Sequence, residues 1–164
     1  MDNKVTLYGA SGHGKVIIDI LESMGVEIDC ILDDNPNLHR ILNYPIAKPD
    51  VKDVEHNRRV IFSIGNNAVR KMLSEKMNCT FAKAIHQSAV ISPHSKVSEG
   101  TVVMAGVIIN PDTTVGKHCI INTGAVVEHD CVIADFVHLS PHVSLAGNVH
   151  VMEGAHVGIG ASVI

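Results

Sequence analysis

The 164-residue chain has no tryptophan and only two tyrosines and three phenylalanines. Its core must therefore be filled with Val, Ile, Leu and Ala, a composition suited to stacked short strands rather than to a large mixed core. Charge is scarce too: Asp, Glu, Lys and Arg make up 18% of the residues, against a usual value of about 25%. With a net charge of −4 and a pI near 6.2 the chain lacks the basic footprint that nucleic acid requires, so no nucleic-acid partner is expected. Long apolar runs are missing. The longest, Val102–Ile109, has eight residues, where about 18 are needed to cross a bilayer, so no membrane insertion is expected. No charged start with a following apolar stretch opens the chain as a secretory signal would. The four cysteines, Cys30, Cys79, Cys119 and Cys131, are scattered without a CxxC pair. That excludes a disulfide framework and points to a reducing, cytoplasmic setting.

A repeat fills the second half. From Ile85 an aliphatic residue returns at every sixth position through Val163, fourteen times in succession. Four residues after each stands a small one, among them Ala89, Thr101, Cys119, Ala125, Cys131 and Ala155. This period reads as a parallel β-helix of hexapeptide type, in which each hexad is a short strand plus a turn and three hexads make one triangular coil. Thirteen hexads over Ile85–Ser162 give a little over four coils. Both the aliphatic and the small residue point inward, so Cys119 and Cys131 are read as packing residues. The period does not by itself fix the hand of the coil.

Residues 1–82 lack the repeat and alternate apolar runs with helical patterns: VTLYG, KVIIDILESMG, EIDCILDD, RRVIFSIGNN and AVRKMLSEKM. Strand, helix, strand, strand, helix is the pattern of a parallel sheet with crossover helices, and TFAKAI is expected to be a last strand leading into the prism. No linker composition marks the boundary near Lys83, so the two parts are expected to pack closely. The first loop, Gly9-Ala10-Ser11-Gly12-His13-Gly14-Lys15, fits the start of a phosphate-binding P-loop. Val16 stands where the magnesium-binding Ser or Thr belongs, and the dinucleotide spacing G-x-G-x-x-G also fails. What survives is a glycine loop whose amides can approach an anion at a helix N-terminus. Asp33 and Asp34 follow the second strand, where carboxylates commonly bind sugar hydroxyls, though Asp-Asp-Asn-Pro also reads as a plain exposed turn. Gly65-Asn66-Asn67 closes the third strand with an Asn suited to cap the next helix. All three loops leave the carboxyl ends of parallel strands, where open α/β sheets bind ligands.

Eleven histidines are many for this length, and eight of them lie from His86 onward. His138 and His156 stand one 18-residue coil apart and should stack. No HxxxH or carboxylate-flanked ligand set accompanies them, so metal catalysis is the weaker reading. Glu128-His129-Asp130 is the sharper feature. At the third position of its hexad His129 sits on a turn with its ring outward, beside carboxylates that can hold one tautomer and raise its basicity, as a general base needs. A solvated turn histidine is the plain alternative, and the other histidines are left with it.

In their order along the chain, LYGASGHGKV, ILDD, SIGNN, IHQSAVISP and VVEHDCVIADFVHLSPHVSLAGNV resemble the bacterial sugar acetyltransferases of the NeuD/PglD type, over essentially the whole length. That family comprises UDP-4-amino-sugar N-acetyltransferases and sialic acid O-acetyltransferases. The resemblance implies a Rossmann-like α/β parallel sheet over 1–82, holding a nucleotide-sugar rather than NAD, and an all-β left-handed parallel β-helix of hexapeptide repeats over 83–164. It also implies a homotrimer with acetyl-CoA bound in a groove between neighbouring prisms, and no metal. By the same resemblance His129 is the catalytic base and Asp130 the carboxylate behind it. His138 stands near the thioester carbonyl and Ile159 lines the acetyl-CoA groove. Ser11, Gly12, His13, Asp33, Asp34 and Gly65 form the substrate loops. Members of the family continue for one or two coils and a cap beyond the point matching Ile164, so the last coils and part of the CoA site are expected to be missing here.

The function expected from these readings is acetyl transfer from acetyl-CoA to the amino group of a UDP-4-amino-sugar. Two alternatives remain open: O-acetylation of sialic acid or another sugar, and a truncated, non-catalytic module that binds a nucleotide-sugar.

Overall fold

The computed structural model describes residues 4–49 and 59–164. A six-stranded sheet is formed by β1 (Lys4–Tyr8), β2 (Glu27–Leu32), β3 (Arg40–Ile41), β4 (Tyr44–Ala47), β5 (Arg59–Phe62) and β6 (Thr80–Phe81) in the order β3-β4-β2-β1-β5-β6. All its pairings are parallel except the β3–β4 hairpin. Helix α1 (Gly12–Ser23) buries Ile17, Ile18, Ile20 and Leu21. Helix α2 (Asn67–Lys76) is capped by the side chain of Asn66, which accepts from the Val69 amide at 3.1 Å. The hairpin departs from the sequence reading. It turns on Leu42 at φ 49, a conformation that L-residues seldom take and that no glycine announces here. TFAKAI also divides: β6 joins the first sheet, while β7 (Ala84–Ile85) opens the prism.

The repeat folds as expected. Fourteen two-residue strands, β7 to β20 (Ser162–Val163), stack 18 residues apart into three parallel sheets. The first face holds β7, β10, β13, β16 and β19, the second β8, β11, β14, β17 and β20, and the third β9, β12, β15 and β18. Val103, Ile109, Val115, Ile121, Val127, Ile133, Leu139 and Leu145 fill the axis with the small residues between them. The turns share one device: from Gly100 to Gly160 every sixth residue has a left-handed backbone, with φ between 52° and 70°. Glycine supplies five of these eleven positions; Asp112, His118, Asp130, Phe136, His142 and Asn148 supply the others, at about 1–3 kcal/mol of strain each.

Inward polar atoms are satisfied within the coil. Thr101 Oγ1 donates to the Gly116 carbonyl at 2.7 Å and accepts from the Cys119 amide at 3.0 Å. Thr113 repeats this with Glu128 and Cys131. The thiols of Cys119 and Cys131 donate to Ala134 and Ala146 at 3.1 and 3.2 Å, and burial pushes the Cys119 thiol up to about 11. Both cysteines are packing residues, as the hexad position requires. Thr101→Val keeps the shape but removes the partner of the buried Cys119 amide and of the half-buried Gly116 carbonyl. It should cost about 1–3 kcal/mol in urea denaturation, where a plain isosteric swap would cost almost nothing.

One prism face decides how the parts join. The outward residues of the first face, read upward, are Ala84, Val102, Ile120, His138 and His156. The first three are apolar and share a core with Val5, Leu7 and the buried side of α1. The two histidines above them are left for the loops at the carboxyl ends of the strands.

Candidate functional site

The glycine loop is tighter than its sequence suggests. Gly9 has φ 111°, and a Cβ there would come within 2.9 Å of the Ile64 side chain and 3.0 Å of the Ser63 carbonyl. Gly14 allows α1 to pass the Gly9 carbonyl, 3.0 Å from where its Cβ would be. The helix begins at Gly12, so Gly12, His13 and Gly14 lie in its first turn, where amides have no helical acceptor and favour an anion. Asp33 braces the loop: its carboxylate accepts from the amides of Ala10 at 2.7 Å and Asn35 at 2.8 Å. Asp34 accepts the Tyr8 hydroxyl at 2.8 Å, and burial followed by this bond raises the Tyr8 phenol well above its usual range. Both carboxylates are thus engaged within the protein. Beside Asp33, between the loop after β2 and the end of β4, lies a cavity of about 230 Å³ edged by Pro36, His39 and Lys48.

Over the first face His13, Gly65 and His138 come together. His138 and His156 stack with ring centroids 4.5 Å apart and planes 4° from parallel, as the 18-residue spacing predicts. His138 Nε2 lies 3.2 Å from Asn122 Nδ2, and the Ser140 hydroxyl is 2.8 Å from His156 Nε2. Among the described residues no hydrogen-bond partner meets the buried His13 Nε2; His138 Nδ1 is equally buried, and the ring faces the Gly65 main chain. Both rings are held at about 4, below the usual histidine range. Burial is the larger cause for each; His138 and Arg70 add to it for His13, His156 and Arg70 for His138. A neutral imidazole carries one donor and one acceptor nitrogen, so such a ring can serve a carbonyl or an amine.

His129 stands elsewhere. Its turn joins β14 to β15, so it occupies the corner between the second and third faces, opposite the face that carries His138. Its Nδ1 is 2.7 Å from Asp130 Oδ2, and the side chain is 63% exposed. The left-handed backbone at Asp130 (φ 61°) belongs to that turn. Gly147, in the adjoining coil, makes room for the ring: a Cβ there would lie 2.6 Å from His129 Cε1. Glu128 turns away to accept from Asn110 Nδ2 at 2.7 Å. With Nδ1–H held by Asp130, Nε2 is left outward with its lone pair, the arrangement of a base. Ser11 is exposed at the helix start. Ile159 is 79% exposed on the corner between the first and second faces.

Two residues at the centre of this arrangement escaped the sequence reading. Arg70 in α2 is 1% exposed and links the loop after β5 to the prism. His118 is buried among Phe62, Phe81 and Phe136, stacked on the last with planes 4° apart. A column of outward residues turning from apolar to histidine every 18 positions was the available signal for the docking face. An arginine in an ordinary helical pattern carries none. Among the described residues no group of three or more His, Cys, Asp or Glu is placed to hold a metal ion.

The family described as PglD N-terminal domain matches residues 4–77, and the bacterial transferase hexapeptide family matches residues 94–129. A point mutant of the perosamine N-acetyltransferase of Caulobacter crescentus, solved with CoA and GDP-perosamine, superposes with a TM-score of 0.90 at 39% identity, over 97% of this chain and 79% of that one. The acetyltransferase domain of PglB from Neisseria gonorrhoeae, solved with acetyl coenzyme A, gives a TM-score of 0.91 at 28% identity, over 99% of this chain and 82% of that one. UDP-N-acetylbacillosamine N-acetyltransferase of Bacillus subtilis is 43% identical over 110 residues, 62% of this chain. That match spans about half of the Bacillus protein, 51%. The left-handed β-helix is the fold of these hexapeptide-repeat acetyltransferases.

Proposed function

The chain belongs to the hexapeptide-repeat sugar N-acetyltransferases with a PglD-type N-terminal domain, and on that premise we propose that it transfers acetyl from acetyl-CoA to the amino group of a nucleotide-activated sugar, with a UDP-4-amino-sugar as acceptor. The observation that carries this reading is the same two-part fold, over 97% of the chain, in a protein solved with CoA and GDP-perosamine. The division of labour follows the fold. Residues 1–82 hold the nucleotide-sugar through Ser11, Gly12, His13, Asp33, Asp34 and Gly65, with the diphosphate at the N-terminus of α1. Residues 83–164 carry the acyl chemistry, with His138 and Ile159 against acetyl-CoA.

The neutral amine attacks the thioester carbonyl carbon, and the carbon–sulfur bond breaks as the tetrahedral intermediate collapses. His129 Nε2 takes the proton that the nitrogen sheds and returns it to the departing CoA sulfur. His138, held neutral, donates to the carbonyl oxygen in this scheme as charge builds there. Amines attack thioesters without Lewis-acid help, so this scheme calls for no metal. His129 and the substrate loops lie on opposite sides of one prism. A sugar held by one protomer therefore meets the His129 of another, which supports a homotrimer with shared sites. The scattered cysteines and the acetyl-CoA requirement fit a cytoplasmic reaction.

The test is CoA release, with product analysis, against a UDP-4-amino-sugar, GDP-perosamine and sialic acid. Equal amounts of CoA and N-acetylated UDP-sugar are expected. Turnover of GDP-perosamine alone would reassign the nucleotide, and an O-acetylated sialic acid the acceptor atom. Nucleotide-sugar binding in calorimetry without CoA release would leave the non-catalytic module.

A further inference from the structure

Among the described residues Arg70 is the one buried arginine, and no carboxylate pairs with it. Each of its five N–H groups instead finds an oxygen. Nε donates to the His118 carbonyl at 3.0 Å. Nη1 donates to Ile64 and Gly65 at 3.0 Å each, and Nη2 to Asn67 Oδ1 at 2.8 Å and to the Phe136 carbonyl at 3.2 Å. His118 and Phe136 occupy the same left-handed turn position in successive coils. Their carbonyls take no part in the main-chain ladder of the prism. Ile64, Gly65 and Asn67 belong to the loop after β5 and the start of α2, at the carboxyl end of the sheet. Asn67 continues the join through Nδ2 to the carbonyls of Gly154 and Ala155 at 2.9 and 3.1 Å.

A buried cation without a counter-ion is a poor way to stabilise a fold, because desolvation offsets most of what its hydrogen bonds return. Apolar packing, such as the neighbouring contact of Val102 and Ile120 with α1, would join the two parts at lower cost. A planar fork with five donors does something packing cannot: it fixes a loop and a prism corner at one separation and angle. We propose that Arg70 is a positioning residue for the acceptor, holding the Gly65 loop over His138 and placing a fixed positive charge beside His13 and His138. This rests on the proposed acetyltransferase reading. Among the described residues the charged and titratable groups facing the two imidazoles are Arg70, each other and, for His138, His156. The Arg70 charge favours the neutral form of both rings, and burial leaves the guanidinium at about 10, still cationic at neutral pH.

The experiment compares Arg70→Lys and Arg70→Met with the unsubstituted chain by two readouts. One is NMR titration of the His13 and His138 ring protons, which needs no substrate. The other is kinetics with acetyl-CoA and whichever of the UDP-4-amino-sugar and GDP-perosamine turns over. Arg70→Met should move both histidine titrations to higher pH. Arg70→Lys keeps the charge but not the fork, so it should leave those titrations low. It should still raise the acceptor KM tenfold or more, with kcat and the acetyl-CoA KM within threefold. If Arg70→Met does not fold, the acceptor KM of Arg70→Lys decides. A folded Arg70→Lys with an unchanged acceptor KM overturns the proposal, as does a folded Arg70→Met with unchanged titrations. An unsubstituted chain that releases no CoA with either sugar would sink the acetyltransferase reading instead. The titrations, together with the Kd of UDP and GDP for the Arg70→Lys chain, would then decide on Arg70 alone.

Discussion

His129→Ala should lower turnover of the amino-sugar by roughly 10²–10⁴-fold, the usual worth of a positioned general base, while the KM values for sugar and acetyl-CoA stay within a few-fold. The split follows from where the residue stands. His129 lies on an exposed corner, away from the loops assigned to the sugar and from the His138 face, so it contributes little uniform binding, and its loss appears in kcat. Stability should hardly change, because the side chain is largely exposed. Asp130→Asn is expected to cost less, roughly tenfold. The amide oxygen can still accept the Nδ1 proton, but the rotamer that presents NH2 selects the wrong tautomer. Gly147→Ala supplies an independent check of geometry, since its Cβ would lie 2.6 Å from His129 Cε1. It should displace the ring and lower kcat without touching any acid or base. A His129→Ala chain that kept most of its CoA release would remove His129 from the mechanism and leave His138 as the next candidate. Mixing an inactive His129→Ala chain with one whose glycine loop is blocked should restore part of the activity if sites are shared between protomers.

The prism was legible in the sequence because its rule is local and repeated. Each hexad must put one aliphatic and one small residue on the axis, and thirteen consecutive hexads obey. The stacking of His138 on His156 followed from the same period, as did the packing role of Cys119 and Cys131. The glycine loop was legible as a tight turn. Its brace by Asp33 was not, because a carboxylate bonded to main-chain amides and one waiting for a sugar hydroxyl have the same sequence. The β3–β4 hairpin was lost because Leu42 takes a conformation usually left to Gly or Asn. Arg70 and His118 were lost for a different reason. Their environment is built from carbonyls and rings up to 66 residues away, and long-range polar satisfaction leaves no local period. The sequence order of the three faces also does not say which will meet the first sheet. Only the column Ala84, Val102, Ile120 carries that choice.

Stability should fall steeply as pH drops from about 6.5 towards 4, and His13, His118 and His138 are the cause. Each is held at about 4 in the folded chain, burial being the leading reason, and each returns to about 6.5 on unfolding. Between those values the unfolded chain binds more protons, so the free energy of unfolding rises with pH. The contribution is whole above about pH 6.5 and is lost on the way down to about 4. At pH 5 one such group costs about 2 kcal/mol relative to neutral pH. Three would approach about 6 if they titrated independently, and less in practice, because the neighbouring His13 and His138 titrate as a pair. Carboxylates contribute little above pH 5, so comparing urea midpoints at pH 7.5 and pH 5 isolates the histidines. His118 tests the cause on its own. It lies between Phe81 and Phe136, with its Nδ1 buried and unpartnered, and Glu99, Asp135 and Lys117 are the other charges that face it alongside Arg70. His118→Phe removes both the orphaned nitrogen and the titration. The backbone should accept the change, since Phe136 already sits at φ 59° in the equivalent turn and His118 at φ 52°. The variant should match or exceed the parent at pH 7.5 and gain about 2 kcal/mol on it at pH 5. An equal midpoint difference at both pH values would mean that His118 takes up its proton in the folded chain as readily as in the unfolded one, contrary to its burial among three aromatic rings.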